Sequence, residues 1–178
     1  MSSAAVPRRA RPGCPILVLV LILCAASAAH GETRAGFVGS WELVSVENRA
    51  SDGSVTQPFG AAPHGRITYT PEGFMSAQVM RDARPAFGGA ASLFGGSATE
   101  KTAAYDGYLA YYGRYAVDAE AGTVTHRIEG SLFPNWSGST QTRHYAFDGD
   151  SLTLTSPPFD AEGKRIVVHV VWRRARGD

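Results

Sequence analysis

From residue 38 onward, apolar and polar side chains alternate in short runs divided by Gly, Pro, Asn and Asp. A period of two belongs to an extended strand whose two faces meet different surroundings. The runs predict strands at about 38–48, 65–70, 74–81, 109–118, 123–129, 141–148, 151–156 and 164–174. In the first, Trp41, Leu43 and Ser45 share one face, and Glu42, Val44 and Val46 the other. Thr70-Pro71-Glu72-Gly73, Asp118–Gly122, Asp148-Gly149-Asp150 and Ala161-Glu162-Gly163 have the composition of tight turns, Gly supplying positive φ and Pro a preset φ. Ser97-Ala98-Thr99-Glu100 reads as a capping box opening one short helix to about Asp106, stopped at Gly107. About eight sequential strands without a long helix predict an all-β fold, an antiparallel up-and-down barrel. A barrel of that size has room for one small ligand, so function is expected in its interior.

Residues 82–97 break the pattern. Four glycines make this stretch pliable, while Phe87, Leu93 and Phe94 give it something to bury. Long connections in compact domains are mostly functional lids or disordered; a lid over the barrel mouth is favoured here, with disorder the alternative. The connection Gly130–Gly138 carries Leu132, Phe133 and Trp136 and reads as a plug over one end, or else as a direct ligand contact. Its Asn135-Trp136-Ser137 is also a glycosylation sequon.

The first 31 residues stand outside the strand pattern. Arg8, Arg9 and Arg11 precede the apolar run Pro15–Ala26, and Ala29-His30-Gly31 supplies small residues for cleavage. This is the layout of a secretory signal peptide, its apolar run too short for a membrane span. An exported protein, periplasmic or secreted, is expected, with no stable span after cleavage. Both cysteines, Cys14 and Cys24, fall in the leader, so the domain 32–178 needs no disulfide. Its 147 residues (178 less the leader's 31) suffice for one self-supporting core. All sixteen acids and fourteen of the seventeen Lys and Arg follow residue 31, a balance of −2 that argues against nucleic acid. Arg173-Arg174-Ala175-Arg176 is read as a solvated strand end.

Gly39-Ser40-Trp41 opens the first strand as a Gly-x-Trp signature. Together with Gly65–Gln78, Tyr112-Gly113-Arg114-Tyr115, Thr125–Trp136, Arg143-His144-Tyr145 and Gly149–Leu154, it makes the chain resemble the bacterial and fungal lipocalin-like domain family, distant relatives of true lipocalins. The likeness runs over about 37–173. It implies a lipocalin-like (calycin-like) barrel with a small-molecule cavity and no settled activity; some fungal relatives sit beside polyketide-forming enzymes. It also implies a structural set of Gly39, Trp41 and an Arg on the last strand, Arg173 or Arg174, with Arg174 preferred.

Alternation then assigns candidates to the interior. His126 shares a face with Val124 and Ile128, and Arg143 shares one with Tyr145 and Phe147. A buried Arg needs a partner, because desolvating an isolated charge costs several kcal/mol, and no acid alternates onto either face. His126 and Arg143 are therefore the expected polar anchors for a carboxylate, enolate or carbonyl, with Tyr69, Tyr115, Tyr145, Trp172, Met75 and Ala77 as walls alongside Val117, Leu154 and Val168. The purely structural alternative has Arg143 on loop carbonyls or Trp136, and His126 as a satisfied core histidine.

Nucleophile elbows, zinc-binding helices and phosphate loops are absent, and His64, His126, His144 and His169 follow no metal spacing. No metal or cofactor is expected. The favoured reading is a monomeric or weakly dimeric binder of a small hydrophobic or amphipathic molecule. A cofactor-independent isomerase or cyclase using His126 as base is the alternative, and a protein–protein inhibitor module the third.

Overall fold

The computed structural model describes residues 34–89, 92, 94–161 and 163–176. The leader lies outside the described residues, as do Ala90, Ala91 and Leu93 of the glycine-rich segment. The elements are β1 (Gly39–Ala50), β2 (Val55–Thr56), β3 (His64–Tyr69), β4 (Phe74–Met80), α1 (Ala98–Asp106), β5 (Tyr108–Asp118), β6 (Thr123–Ser131), β7 (Thr140–Asp148), β8 (Ser151–Thr155), β9 (Phe159–Ala161) and β10 (Lys164–Arg174). Pairing runs β1-β3-β4-β5-β6-β7-β8-β10, and β10 returns to β1 to close an eight-stranded antiparallel barrel. The two- and three-residue strands β2 and β9 lie on β1 and β10; they are too short to show a periodicity. Among the described residues, no helix is long and apolar enough to cross a membrane.

One face assignment is corrected. Between Leu43 and Ser45 the β1–β10 register shifts, so one extra residue of β1 sits opposite β10. Such a bulge reverses the alternation beyond it. Val44 is 46% exposed and Val46 is buried with Trp41 and Leu43, instead of lying opposite them.

The two ends of the barrel differ. Residues 70–73, 119–122 and 149–150 make tight turns at one end, whereas 51–63, 81–107, 132–139 and 156–163 connect strands at the other. The tight end is filled by aromatics. Phe37, just before β1, packs edge-on against Tyr69 (5.3 Å), Tyr145 (5.0 Å) and Phe147 (5.0 Å), and Tyr69 against Tyr115 (4.8 Å). The Trp41 indole N–H donates to the Phe37 carbonyl (2.9 Å). The Arg174 guanidinium lies 4.1 Å over the Trp41 ring and donates to the carbonyls of Gly36 (2.8 Å) and Val38 (3.1 Å). Gly39 at φ +124° gives the chain the turn it needs beneath that guanidinium, a conformation side chains disfavour. Arg173, one residue earlier, points to the other face and meets Glu42 (3.7 Å). The N-terminal arm is thus clamped across the tight end, which leaves the long-loop end as the way in.

The capping box of α1 forms in both directions: Ser97 Oγ accepts from the Glu100 amide (3.3 Å), and the Glu100 carboxylate accepts from the Ser97 amide (2.7 Å). No residue of α1 is buried.

Candidate functional site

Above the aromatic plug, the barrel encloses a cavity of about 730 Å³, within the range of small-molecule sites. Its walls are mostly apolar: Val46, Ala77, Val79, Leu109, Leu154 and Val168 come from five strands. Phe59, Trp136 and Phe159 with their neighbouring prolines stand at the mouth. Trp136 packs edge-on against Tyr111 at 5.7 Å, while Leu132 and Phe133 remain exposed. The 130–138 connection therefore lends one aromatic to the rim and does not plug the barrel.

The glycine-rich segment is not the gate expected of it. None of its described residues lines the cavity. Arg84 lies over the Tyr108 ring (5.1 Å) and donates to the Ala104 carbonyl (3.0 Å). The Gly88 amide donates to Glu100 (2.6 Å). These contacts draw the segment sideways onto α1. The capping glutamate thus anchors both the helix and the loop before it.

Tyr111, His126, Gln141 and Arg143 gather on one side of the cavity, across β5, β6 and β7, while Asn48 and Ser156 line it elsewhere. His126 and Gln141 are directly paired across β6 and β7, as are Val124 and Arg143. His126 is 1% exposed, its Nε2 2.9 Å from the Tyr69 hydroxyl and its Nδ1 3.2 Å from the Tyr111 hydroxyl. Arg143 donates to the Thr142 carbonyl (2.9 Å) and to Gln141 Oε1 (3.3 Å), both neutral acceptors. Among the described residues, no Asp or Glu lines the cavity, and no ion pair includes Arg143. Trp172 lines the wall beside β8, and its buried indole N–H has no partner among the described residues.

Burial, and then the Arg143 charge, push the His126 pKa down to about 3, so the ring is neutral across the physiological range. Burial pushes the Tyr111 hydroxyl up to about 12 against the opposing pull of Arg143, and raises Tyr69 as well. Burial also lowers the Arg143 pKa, partly offset by Tyr111 and Tyr69.

The His126 shift has a consequence for stability. The unfolded ring titrates near 6.5 and the folded ring near 3, so between these values the unfolded chain binds more protons. The contribution of neutral His126 is complete above pH 6.5 and is lost as pH falls toward 3, at up to about 1.4 kcal/mol per pH unit. Urea unfolding at a series of pH values should show this slope in the wild type and a shallower one in His126→Gln. Equal slopes would contradict it.

Of the residues read from sequence as ligand contacts, His126, Arg143, Ala77 and Trp172 line the cavity. Tyr69, Met75, Tyr115 and Tyr145 do not. Tyr69 pairs with both Gly39 and Met75, next to the tight turn, and the Tyr115 hydroxyl donates to the Thr70 carbonyl of that turn (2.9 Å). Tyr145 packs on Phe37. Alternation reveals which face a side chain takes but not its height along the barrel, and these four lie at plug level. Tyr69 still reaches the site from below, through His126. Tyr111 and Gln141 were missed. Tyr111 stands four residues before Tyr115 on the same face of β5, a spacing that could have found it; it lies nearer the open end.

A model of the lipocalin-like domain matches residues 38–175, which takes in every barrel strand, Trp41, Arg174 and the cavity. The chain belongs to the lipocalin-like domain family. This lipocalin-like protein is also similar to the 4'-hydroxy-3'-methoxypropiophenone carrier protein ppsC of Aspergillus oryzae (strain ATCC 42149 / RIB 40). The two are 39% identical over 107 residues, 56% of this chain and 96% of the relative. No solved structure matches the chain.

Proposed function

We propose that this lipocalin-like protein is a carrier that holds one small hydrophobic or amphipathic molecule inside its barrel, with an acidic or carbonyl head beside Arg143. The observation that carries this reading is a largely apolar cavity of about 730 Å³ at which the Arg143 guanidinium meets, among the described residues, only neutral acceptors. A desolvated cation without an anion is costly, and a ligand oxygen would supply what the protein does not. The relative's name, a carrier of a hydroxylated, methoxylated aryl ketone, agrees in chemistry. The leader supports export, so that loading would take place in the periplasm or outside the cell.

An isomerase or cyclase has less support. A ring whose pKa lies near 3 is a weak base at neutral pH, whereas general bases work best with a pKa near the operating pH. An inhibitor module with a sealed interior fits the cavity poorly.

Displacement of anilinonaphthalene sulfonate from the purified protein tests the proposal. One saturable site per chain, emptied competitively by naphthoic acid, is expected. Probe fluorescence that fails to saturate, or that naphthoic acid leaves unchanged, would refute it.

A further inference from the structure

The hydrogen bonds around His126 have a direction. Neutral imidazole offers one N–H and one lone pair, and burial keeps this ring neutral. The Tyr69 hydroxyl lies in the fully buried plug, and its one described partner is His126 Nε2 at 2.9 Å. A buried O–H without an acceptor costs about 1–3 kcal/mol, so Tyr69 donates and Nε2 is the acceptor. The ring proton is then on Nδ1 and is donated to the Tyr111 oxygen at 3.2 Å. The proton of Tyr111 itself has no described acceptor, and Tyr111 is on the cavity wall.

We propose that Tyr69, His126 and Tyr111 form a directed relay that presents the Tyr111 O–H to the cavity as a fixed donor, so that the bound molecule is one carrying a carbonyl oxygen, whether of a ketone or a carboxylate. Each bond in such a chain polarises the next, strengthening the terminal donor. The Arg143 N–H groups not engaged by Thr142 and Gln141 add donors beside it, close enough for the Arg143 charge to act on Tyr111. A head group that only donates, such as an ammonium, meets there a fixed donor and a cation. Tyr69 does not touch the ligand; it is a positioning residue that acts through His126. The inference rests on the carrier reading and adds the group that selects for a carbonyl oxygen, the Tyr111 hydroxyl as oriented by His126 and Tyr69.

Titration of the purified protein with three probes of one shape separates the two ideas. The probes are naphthyl methyl ketone, naphthoic acid and ethylnaphthalene, with tryptophan fluorescence as the readout. The wild type should bind the ketone about tenfold more tightly than the hydrocarbon, the worth of one good hydrogen bond. Tyr111→Phe should abolish that preference, and Tyr69→Phe should reduce it several-fold. Hydrocarbon affinity, measured in each variant, is the reference against which its preference is read. Naphthoic acid should keep part of its advantage in both variants through Arg143. A ketone preference intact in a Tyr69→Phe protein with cooperative melting would overturn the relay. Should Tyr69→Phe not fold, an intact preference in Tyr111→Phe would do the same. Hydrocarbon and ketone bound equally by the wild type would overturn the relay and leave the carrier standing. Failure of all three probes to bind would overturn both.

Discussion

Arg143→Ala should weaken binding of naphthoic acid by about 2–5 kcal/mol, the range for truncating one partner of a buried charge pair, while leaving the fold as stable as before or slightly more so. The two halves of this expectation have one cause. Arg143 is largely desolvated and bonds only a main-chain carbonyl and an amide oxygen, so in the empty protein its charge is poorly compensated. Removing it costs the folded state little, and costs the complex the one Arg or Lys that lines the cavity among the described residues. Ethylnaphthalene should bind the variant about as well as the wild type. Arg143→Lys keeps the charge but loses the planar fork, and should retain part of the affinity for the acid. The charge is also the second cause of the depressed His126 pKa, after burial. In Arg143→Ala that pKa should rise part of the way toward 6.5, narrowing the pH range over which acid destabilises the fold. Calorimetric titration together with melting curves checks both halves. Unchanged affinity with a lowered melting temperature would mean that Arg143 is a structural residue of the rim.

The second large effect belongs to the opposite end. Trp41→Ala should cost about 3–5 kcal/mol of stability, as large aromatic truncations in cores do. Trp41 is fully buried, its N–H held by the Phe37 carbonyl and its face covered by Arg174. Its loss would open a void and also loosen the arm that carries Phe37, the ring on which Tyr69, Tyr145 and Phe147 converge. Urea unfolding should show the drop at an unchanged slope. A loss below about 1 kcal/mol would mean the plug repacks and the clamp is not what closes this end.

The strands were legible because each carries its own alternation and each turn its own Gly, Pro or Asp. The capping box at Ser97 was legible for the same reason, since its signal is local. What escaped the sequence is what depends on partners. The β1 bulge that turns Val46 inward is decided by how β1 matches β10, and nothing within Leu43–Val46 announces it. The glycine-rich segment has the composition of a lid, yet Arg84, Gly88 and Glu100 secure it to α1. Inward faces were readable, so His126 and Arg143 could both be placed inside the barrel from alternation alone. Height along the barrel was not, because it depends on register and strand tilt. That is why Tyr69, Tyr115, Tyr145 and Met75 were expected at the ligand and lie in the plug, while Tyr111 went unnoticed on the same face as Tyr115.

On this account the upper half of the barrel is an open chamber with a cation ready for a guest. A crystal structure of the protein grown with naphthoic acid examines it most directly. The naphthyl ring should lie among Val79, Leu109, Leu154 and Val168, with the carboxylate within hydrogen-bonding distance of Arg143 and Tyr111. An interior closed by collapsed side chains, with the acid absent or bound on the outer face, would contradict it.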